Sequence, residues 1–339
     1  MDRNKLVFVS SGVILVFLTT LILRLAKPVF FPFFLAVFFY FILSPLLEIL
    51  LRFKIPRSLA VFLIVVSAFF ILYLLGVLFY SSGKAFATSV PDYAQRISEA
   101  FAWLSAKLRS SGLNWDPLLW SKTLDAGQVT AFFLRSLNQI FSLFSIFVLV
   151  FVLLIFMLAG RGKLKVKVER LLSPQRAKTV NLMIERIDHD IQKYLGIKTV
   201  ISVLSGLIAM IILLLFGVEF AVLFGILTAI LNFVPSLGSI VSMAFISIIA
   251  AFQFGSIFPA LWILLILGGL DVLISNLLEP KLMGQGLGLS PLVVLFSLFF
   301  WGWLWGIPGL ILAVPLLAVI KIICGNIPTL QPFAQFISK

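Results

Sequence analysis

The sequence predicts an all-α, polytopic integral membrane protein, and three observations carry that prediction. Of the 339 residues, 62% are hydrophobic and only 12% charged, against about 25% charged in an ordinary soluble domain. The charges are clumped, leaving uncharged runs at 6–23, 28–47, 59–80, 136–160, 199–218, 220–270 and 282–320. Each run suffices to cross a hydrocarbon core about 30 Å thick, which takes roughly 20 helical residues. Finally, the positive charge that gives a net +13 sits in the loops between these runs, where the positive-inside bias puts it.

That placement argues against nucleic acid as the partner of the basic residues. The first run is followed directly by further spans and by no small-residue cleavage site, so it reads as a retained helix rather than a signal peptide. Cys324 is the one cysteine, which excludes an intrachain disulfide and a cysteine metal cluster. His189 is the one histidine and lies between Asp188 and Asp190, the setting of a solvated helix face. The expectation is therefore no cofactor and no metal.

With the N-terminus inside, eighteen basic residues fall on the cytoplasmic side and eight outside, in the sense the charge rule requires. The chain then divides into N-terminal spans (1–80), an outer insertion (81–137), a returning span (138–160), a basic cytoplasmic segment (161–198), a core with two broken hairpins (199–325) and a cytoplasmic tail (326–339). In the outer insertion Tyr93, Ile97, Phe101, Leu104 and Leu108 recur at helical spacing, as in an amphipathic helix lying on the membrane surface or on a neighbouring subunit. Ser173-Pro174 opens the cytoplasmic segment as an N-cap followed by proline at the first helical position. The stripe Val180, Ile184, Ile187, Ile191 and Leu195 then predicts one long helix running into the next span, its basic face resting on anionic lipid headgroups or simply solvated.

The last 140 residues have a different grammar. The run after 220 is cut by Asn232-Phe233-Val234-Pro235-Ser236-Leu237-Gly238, leaving arms of about 13–16 residues, which suit a re-entrant segment better than a full crossing. After a further span at 256–278, the pattern recurs around Trp305-Gly306-Ile307-Pro308-Gly309. If each hairpin returns to the side it entered from, the two units are inverted copies. Inverted repeats with interrupted helices are a frequent plan of secondary transporters, whose sites form where broken helices meet near the midplane. Non-helical backbone at that depth needs protein or a water-filled cavity around it. The alternative is two ordinary helical pairs with packing kinks.

Within this region Asp271 is the one charged residue inside its span, and a carboxylate there costs on the order of 3 kcal/mol. It serves either a proton or cation, or packing alone. Asn232 and Ser236 bracket the first break, where their side chains and freed carbonyls are placed to coordinate solute or cation, or to satisfy backbone disrupted by Pro235. Asn276 lies just beyond Asp271, with Glu279, Pro280 and Lys281 after it, the charged pair reading as interfacial anchors. Gly284, Gly286 and Gly288 make a hinge, not a phosphate cradle, because no strand precedes them. No nucleophile and base, and no paired carboxylates, share a span, so the parts of an enzyme are missing.

These same stretches resemble the AI-2E family of transporters. The resemblance rests on Ile191-Gln192-Lys193-Tyr194-Leu195, the 231–238 segment, Asn276-Leu277-Leu278-Glu279-Pro280-Lys281-Leu282-Met283-Gly284, Leu289-Ser290-Pro291-Leu292-Val293-Val294, Gly306-Ile307-Pro308-Gly309-Leu310 and Ala313-Val314-Pro315-Leu316. It implies a secondary transporter of the bacterial inner membrane that exports or exchanges a small polar solute, such as a signalling molecule or metabolite. Some relatives act as sodium or lithium/proton antiporters. Where the family often has Pro-Tyr-Ile-Gly-Pro, this chain has Pro235-Ser236-Leu237-Gly238-Ser239, without the aromatic and the second proline. The expected solute or ion pathway comprises Asn232, Pro235, Ser236, Gly238, Asp271, Asn276, Pro280, Pro308 and Gly309. The expected assembly is a homo-oligomer in contact with membrane lipids, and a non-transporting scaffold is the reading from a different class.

Overall fold

The computed structural model describes residue 14 and residues 18–110, 127, 131, 134–135, 144–235, 237–283 and 287–338, with backbone alone for 94, 97, 98, 100–109, 144, 145 and 328. The elements in chain order are α1 (Lys27–Arg52), α2 (Arg57–Ser110), α3 (Phe144–Gly160), α4 (Lys163–Leu171), α5 (Pro174–Leu215), α6 (Ala221–Leu231) and α7 (Leu237–Phe254). They continue with α8 (Ile257–Leu273), a π-helical turn (Ile274–Leu278), α9 (Glu279–Met283), α10 (Pro291–Trp305), α11 (Ile307–Asn326), a 3-10 turn (Pro328–Leu330) and α12 (Gln331–Ile337). The described residues contain no strand, only an isolated bridge between Leu289 and Ser338. Six helices are long and apolar enough to cross a membrane, or seven if α3 and α4, bent by 62°, count as one span. Large apolar side chains on the surface, among them Phe62, Phe156, Trp262, Phe296 and Trp303, are each more than 60% exposed, a surface that only lipid satisfies. The protein is an all-α, multi-pass membrane protein.

The chain forms two compact units, the first of residues 1–67, 146–196 and 283–339, the second of 68–145 and 197–282. In the first, Arg57 donates to the carbonyls of Leu158 (2.9 Å) and Arg161 (2.7 Å) at the end of α3. Arg161 in turn donates to the Ser44 carbonyl and pairs with Glu48 at 2.7 Å. Cations at a helix C-terminus complement its dipole and occupy carbonyls that have no intrahelical donor. Trp305 is fully buried against Phe34 and Trp301. In the same unit the Ser290 N–H donates to the Ile337 carbonyl, and the Lys321 ammonium donates to the carbonyls of Leu287 and Gly288.

The second unit is built on Phe86, Val90 and Tyr93 of α2 packed with Leu213, Phe224, Ile246 and Ile263. Here the structure departs from the expected end of a span near residue 80, since α2 runs on as a single 54-residue helix through Pro91. Hydroxyls of Ser81, Thr88 and Ser89 fold back on carbonyls three or four residues earlier, so these polar residues cause no exit from the helix. Tyr93 is buried and donates to Glu219. The side chains of Ile97, Phe101, Leu104 and Leu108 lie outside the described set.

The long helix expected from the Ser173-Pro174 start forms, running unbroken over the 42 residues of α5. Both predicted breaks are present, but off centre. The arms are 11 and 18 residues at the first and 15 and 20 at the second, because Phe220 in left-handed geometry delays the start of α6 while α7 resumes directly after the turn. An 11-residue helix is about 16 Å long, half of a hydrocarbon core.

Glycine holds each hairpin shut. A Cβ on Gly238 would lie 1.8 Å from the Leu231 carbonyl oxygen, and one on Gly309 would lie 1.9 Å from that of Trp301. Gly206 of α5 and Gly225 of α6 meet in the same way, each with a carbonyl oxygen of the other within 3 Å of where its Cβ would be. Such small-residue contacts let membrane helices approach at backbone distance. Gly238→Ala is therefore expected to cost about 1–3 kcal/mol through overpacking. Gly196→Ala, in α5 with nothing within 4 Å of the new methyl, is expected to stabilise by up to about 1 kcal/mol. Melting temperatures of the two purified variants beside the parent protein check the pair; equal shifts would mean that neither site is packed as described.

Candidate ion and solute site

At the first helix break the second unit has a partly open pocket into which several polar side chains face. Its polar lining comes from Ser205 of α5, Thr228 of α6, Asn232 at the α6 cap, Ser239 and Ser242 of α7, and Asp271 of α8; Ile208, Met243, Ile246 and Leu267 are among the apolar residues that complete it. Every polar group that faces the space is an oxygen or an amide. The free volume is about 30 Å³, close to the share of one water in the liquid.

Each side chain is placed for an identifiable reason. Ser202 and Ser205, three apart on α5, turn toward the break, and the buried Asn232 donates its amide to both hydroxyls at 3.4 Å. With its amide hydrogens committed there, Asn232 has its Oδ1 left to accept from or coordinate a ligand. Ser242 donates to the Ser239 carbonyl. Thr228 Oγ1 is buried and has no hydrogen-bond partner among the described residues, a state that costs about 1–3 kcal/mol unless something fills it. Asp271 is half-buried, and no cation pairs with it among the described residues.

Of the residues expected in the pathway, the structure brings Asn232 and Asp271 into this one pocket. Pro235 shapes the turn and Gly238 closes the hairpin, without lining the pocket. Ser236 lies outside the described residues. Asn276 falls in the π turn and is exposed, as is Pro280 in α9. Pro308 and Gly309 belong to the hairpin of the first unit and contribute nothing to this pocket. The carbonyls expected to be freed at the break are largely re-engaged: those of Thr228, Ile230, Leu231, Val234 and Pro235 accept N–H groups of 232, 233, 234, 238 and 237 respectively. Side chains, more than open backbone, therefore make the site. Ser205, Thr228, Ser239 and Ser242 escaped sequence reasoning; the pairs Ser202/Ser205 and Ser239/Ser242, each one helical turn apart in an apolar run, were the available signal.

The sequence profile of the AI-2E family transporter matches residues 12–329. The chain belongs to the AI-2E transporter family. It is 32% identical over 305 residues to the "AI-2 transport protein TqsA" of Escherichia coli K12, covering 88% of this chain and 86% of that protein. A protein of Borreliella burgdorferi named "Putative transport protein" is 31% identical over 336 residues, covering 99% and 91%. YueF of Bacillus subtilis, with the same description, is 26% identical over 348 residues, covering 97% and 92%. An AI-2E family member with this many apolar helices is a membrane transporter.

Asn232→Leu removes the two hydroxyl contacts and one potential ligand at nearly constant volume. It is expected to weaken the apparent affinity for the transported species by about tenfold, while unfolding shifts by about 1 kcal/mol for each lost hydrogen bond. Concentration-dependent flux beside a melting curve separates the two. Collapse of stability with unchanged affinity would make Asn232 a prop for the turn.

Proposed function

We propose that the protein is a secondary transporter that exports or exchanges a small polar solute across the bacterial inner membrane, with the polar pocket of the second unit as its site. The observation that carries this reading is a carboxylate, an amide and four hydroxyls gathered at a helix break among apolar neighbours. A packing role requires none of this convergence. The name of the Escherichia coli relative, AI-2 transport protein TqsA, supports a small polar solute as the cargo class. The distribution of basic residues supports cytoplasmic termini, and the short first arms support hairpins that enter and return on one side. The reading includes no catalytic step.

The dimensions of the pocket favour a second reading, in which a monovalent cation or proton binds there. About 30 Å³ suits a water or a desolvated cation better than a sugar-sized solute. Hard cations take oxygen ligands, and transporters commonly place coupling ions where a half-helix ends. Under this reading Asp271 supplies the charge, Asn232 Oδ1 and Thr228 Oγ1 supply neutral oxygens, and the chain works as a cation/proton antiporter or couples solute flux to the cation gradient.

Asp271→Asn tests both readings. The substitution removes one charge from the apolar span, so insertion and folding are expected to persist or improve, while gradient-driven transport falls by at least about tenfold and loses its dependence on pH. The measurement is counterflow of candidate solutes in proteoliposomes under imposed proton, sodium or lithium gradients. Wild-type rates with an unchanged pH profile would remove Asp271 from the mechanism.

A further inference from the structure

Lys198 is 3% exposed, and its ammonium donates to Glu279 Oε1 at 2.9 Å. Both residues belong to the second unit. A buried ion pair is poor value for stability, because desolvating two charges offsets most of their attraction; the best-attested use of such pairs is in fixing register or switching. Three features connect this pair to the pocket.

The first is the stripe on α5. Lys198, Ser202 and Ser205 follow at i, i+4 and i+7, one face of a helix. Ser202 is fully buried and Ser205 lines the pocket. Asn232 touches both hydroxyls, so polar groups continue from the ion pair to the site.

The second is the register on the opposite strand of contacts. In an uninterrupted α-helix, Asp271 and Glu279, eight residues apart, would point about 80° away from each other. The π turn at Ile274–Leu278, closed by the Glu279 N–H on the Ile274 carbonyl, inserts the extra residue that takes up this offset. Asp271 then shares the pocket with Ser205 while Glu279 meets Lys198, seven residues earlier on the same α5 stripe. Single π turns inside α-helices recur at functional sites.

The third is chemistry. The lysine ammonium is a tethered cation on the α5 face that also carries Ser202 and Ser205, and a cation or a protonated solute approaching the pocket along that face can take its place at Glu279. We propose that Lys198 and Glu279 form an ionic gate that closes one end of the polar path to the pocket. The proposal rests on the pocket being the transport site, and it assigns Glu279 a role beyond the interfacial anchor that its sequence position suggests.

The test reads access to the pocket and needs no knowledge of the cargo. In a Cys324→Ala background, Ser239→Cys places a thiol on the pocket wall, and a membrane-impermeant cationic methanethiosulfonate is added to either face of oriented vesicles. The neutral pair Lys198→Met with Glu279→Gln removes the gate without leaving a lone buried charge. It is expected to speed labelling by about tenfold from one face only, as when a closed state loses its bias. The exchange Lys198→Glu with Glu279→Lys is expected to restore slow labelling. A purely structural brace predicts that the neutral pair loosens the unit and speeds labelling equally from both faces; that result, unchanged labelling, or failure of the exchange to restore protection would overturn the gate. Asp271→Asn with wild-type flux alongside one-sided acceleration would remove Asp271 from the transport mechanism while leaving the ion pair in control of access to the pocket.

Discussion

A peptide group inside hydrocarbon has no water to bond to, so a chain that interrupts a helix there must find every donor and acceptor a partner within the protein. Among the described residues the backbone around the break after Asn232 follows this constraint, and much of the second unit is arranged around it. Backbone N–H groups on either side of the turn are re-engaged by carbonyls two to four residues away. That tight turn demands close approach, which Gly238 permits against the Leu231 carbonyl, and Gly206 with Gly225 permits between α5 and α6. Close approach brings the hydroxyls of Ser202 and Ser205 to the Asn232 amide.

What remains after the backbone is satisfied is a surplus of polarity. Among the described residues Thr228 Oγ1 has no partner, and no cation pairs with the Asp271 carboxyl in its apolar helix. A unit optimised only for stability would have replaced both with apolar residues, since buried polar groups without partners cost more than isosteric hydrocarbons. Their presence beside a cavity of about 30 Å³ is the physical ground for reading the pocket as a place where something polar comes and goes. Lys198 extends the same polarity along α5, satisfied by Glu279 of α9.

The fold was legible because its signals are local. Uncharged runs, Ser173-Pro174 and the Pro-Gly breaks at 235–238 and 306–309 act through neighbours in sequence, and the helices start and stop close to them. Asp271 stood out because charge in an apolar span is conspicuous in one dimension. The hydroxyl ligands did not: a serine in a membrane helix can satisfy itself on the preceding turn, as Ser81 and Ser89 do, so only the folded arrangement separates Thr228 and Ser205 from such residues. Lys198 was hidden for a related reason. It closes a basic run of loop and interface charges, and nothing in the sequence marks it as buried. The continuation of α2 to Ser110 was also unreadable, since the seryl and threonyl residues at 81–89 suggest an exit unless their hydroxyls are known to bond backward.

The central claim, that the pocket binds the transported ion or solute, is tested most directly by Thr228→Val, which exchanges an unpartnered hydroxyl for a methyl of nearly equal size. Gradient-driven counterflow in proteoliposomes should fall about tenfold, the value of one lost oxygen contact, while the melting temperature of the empty protein holds or rises, because an unsatisfied buried hydroxyl has been removed. Wild-type flux in Thr228→Val, with or without a change in melting temperature, would contradict the account.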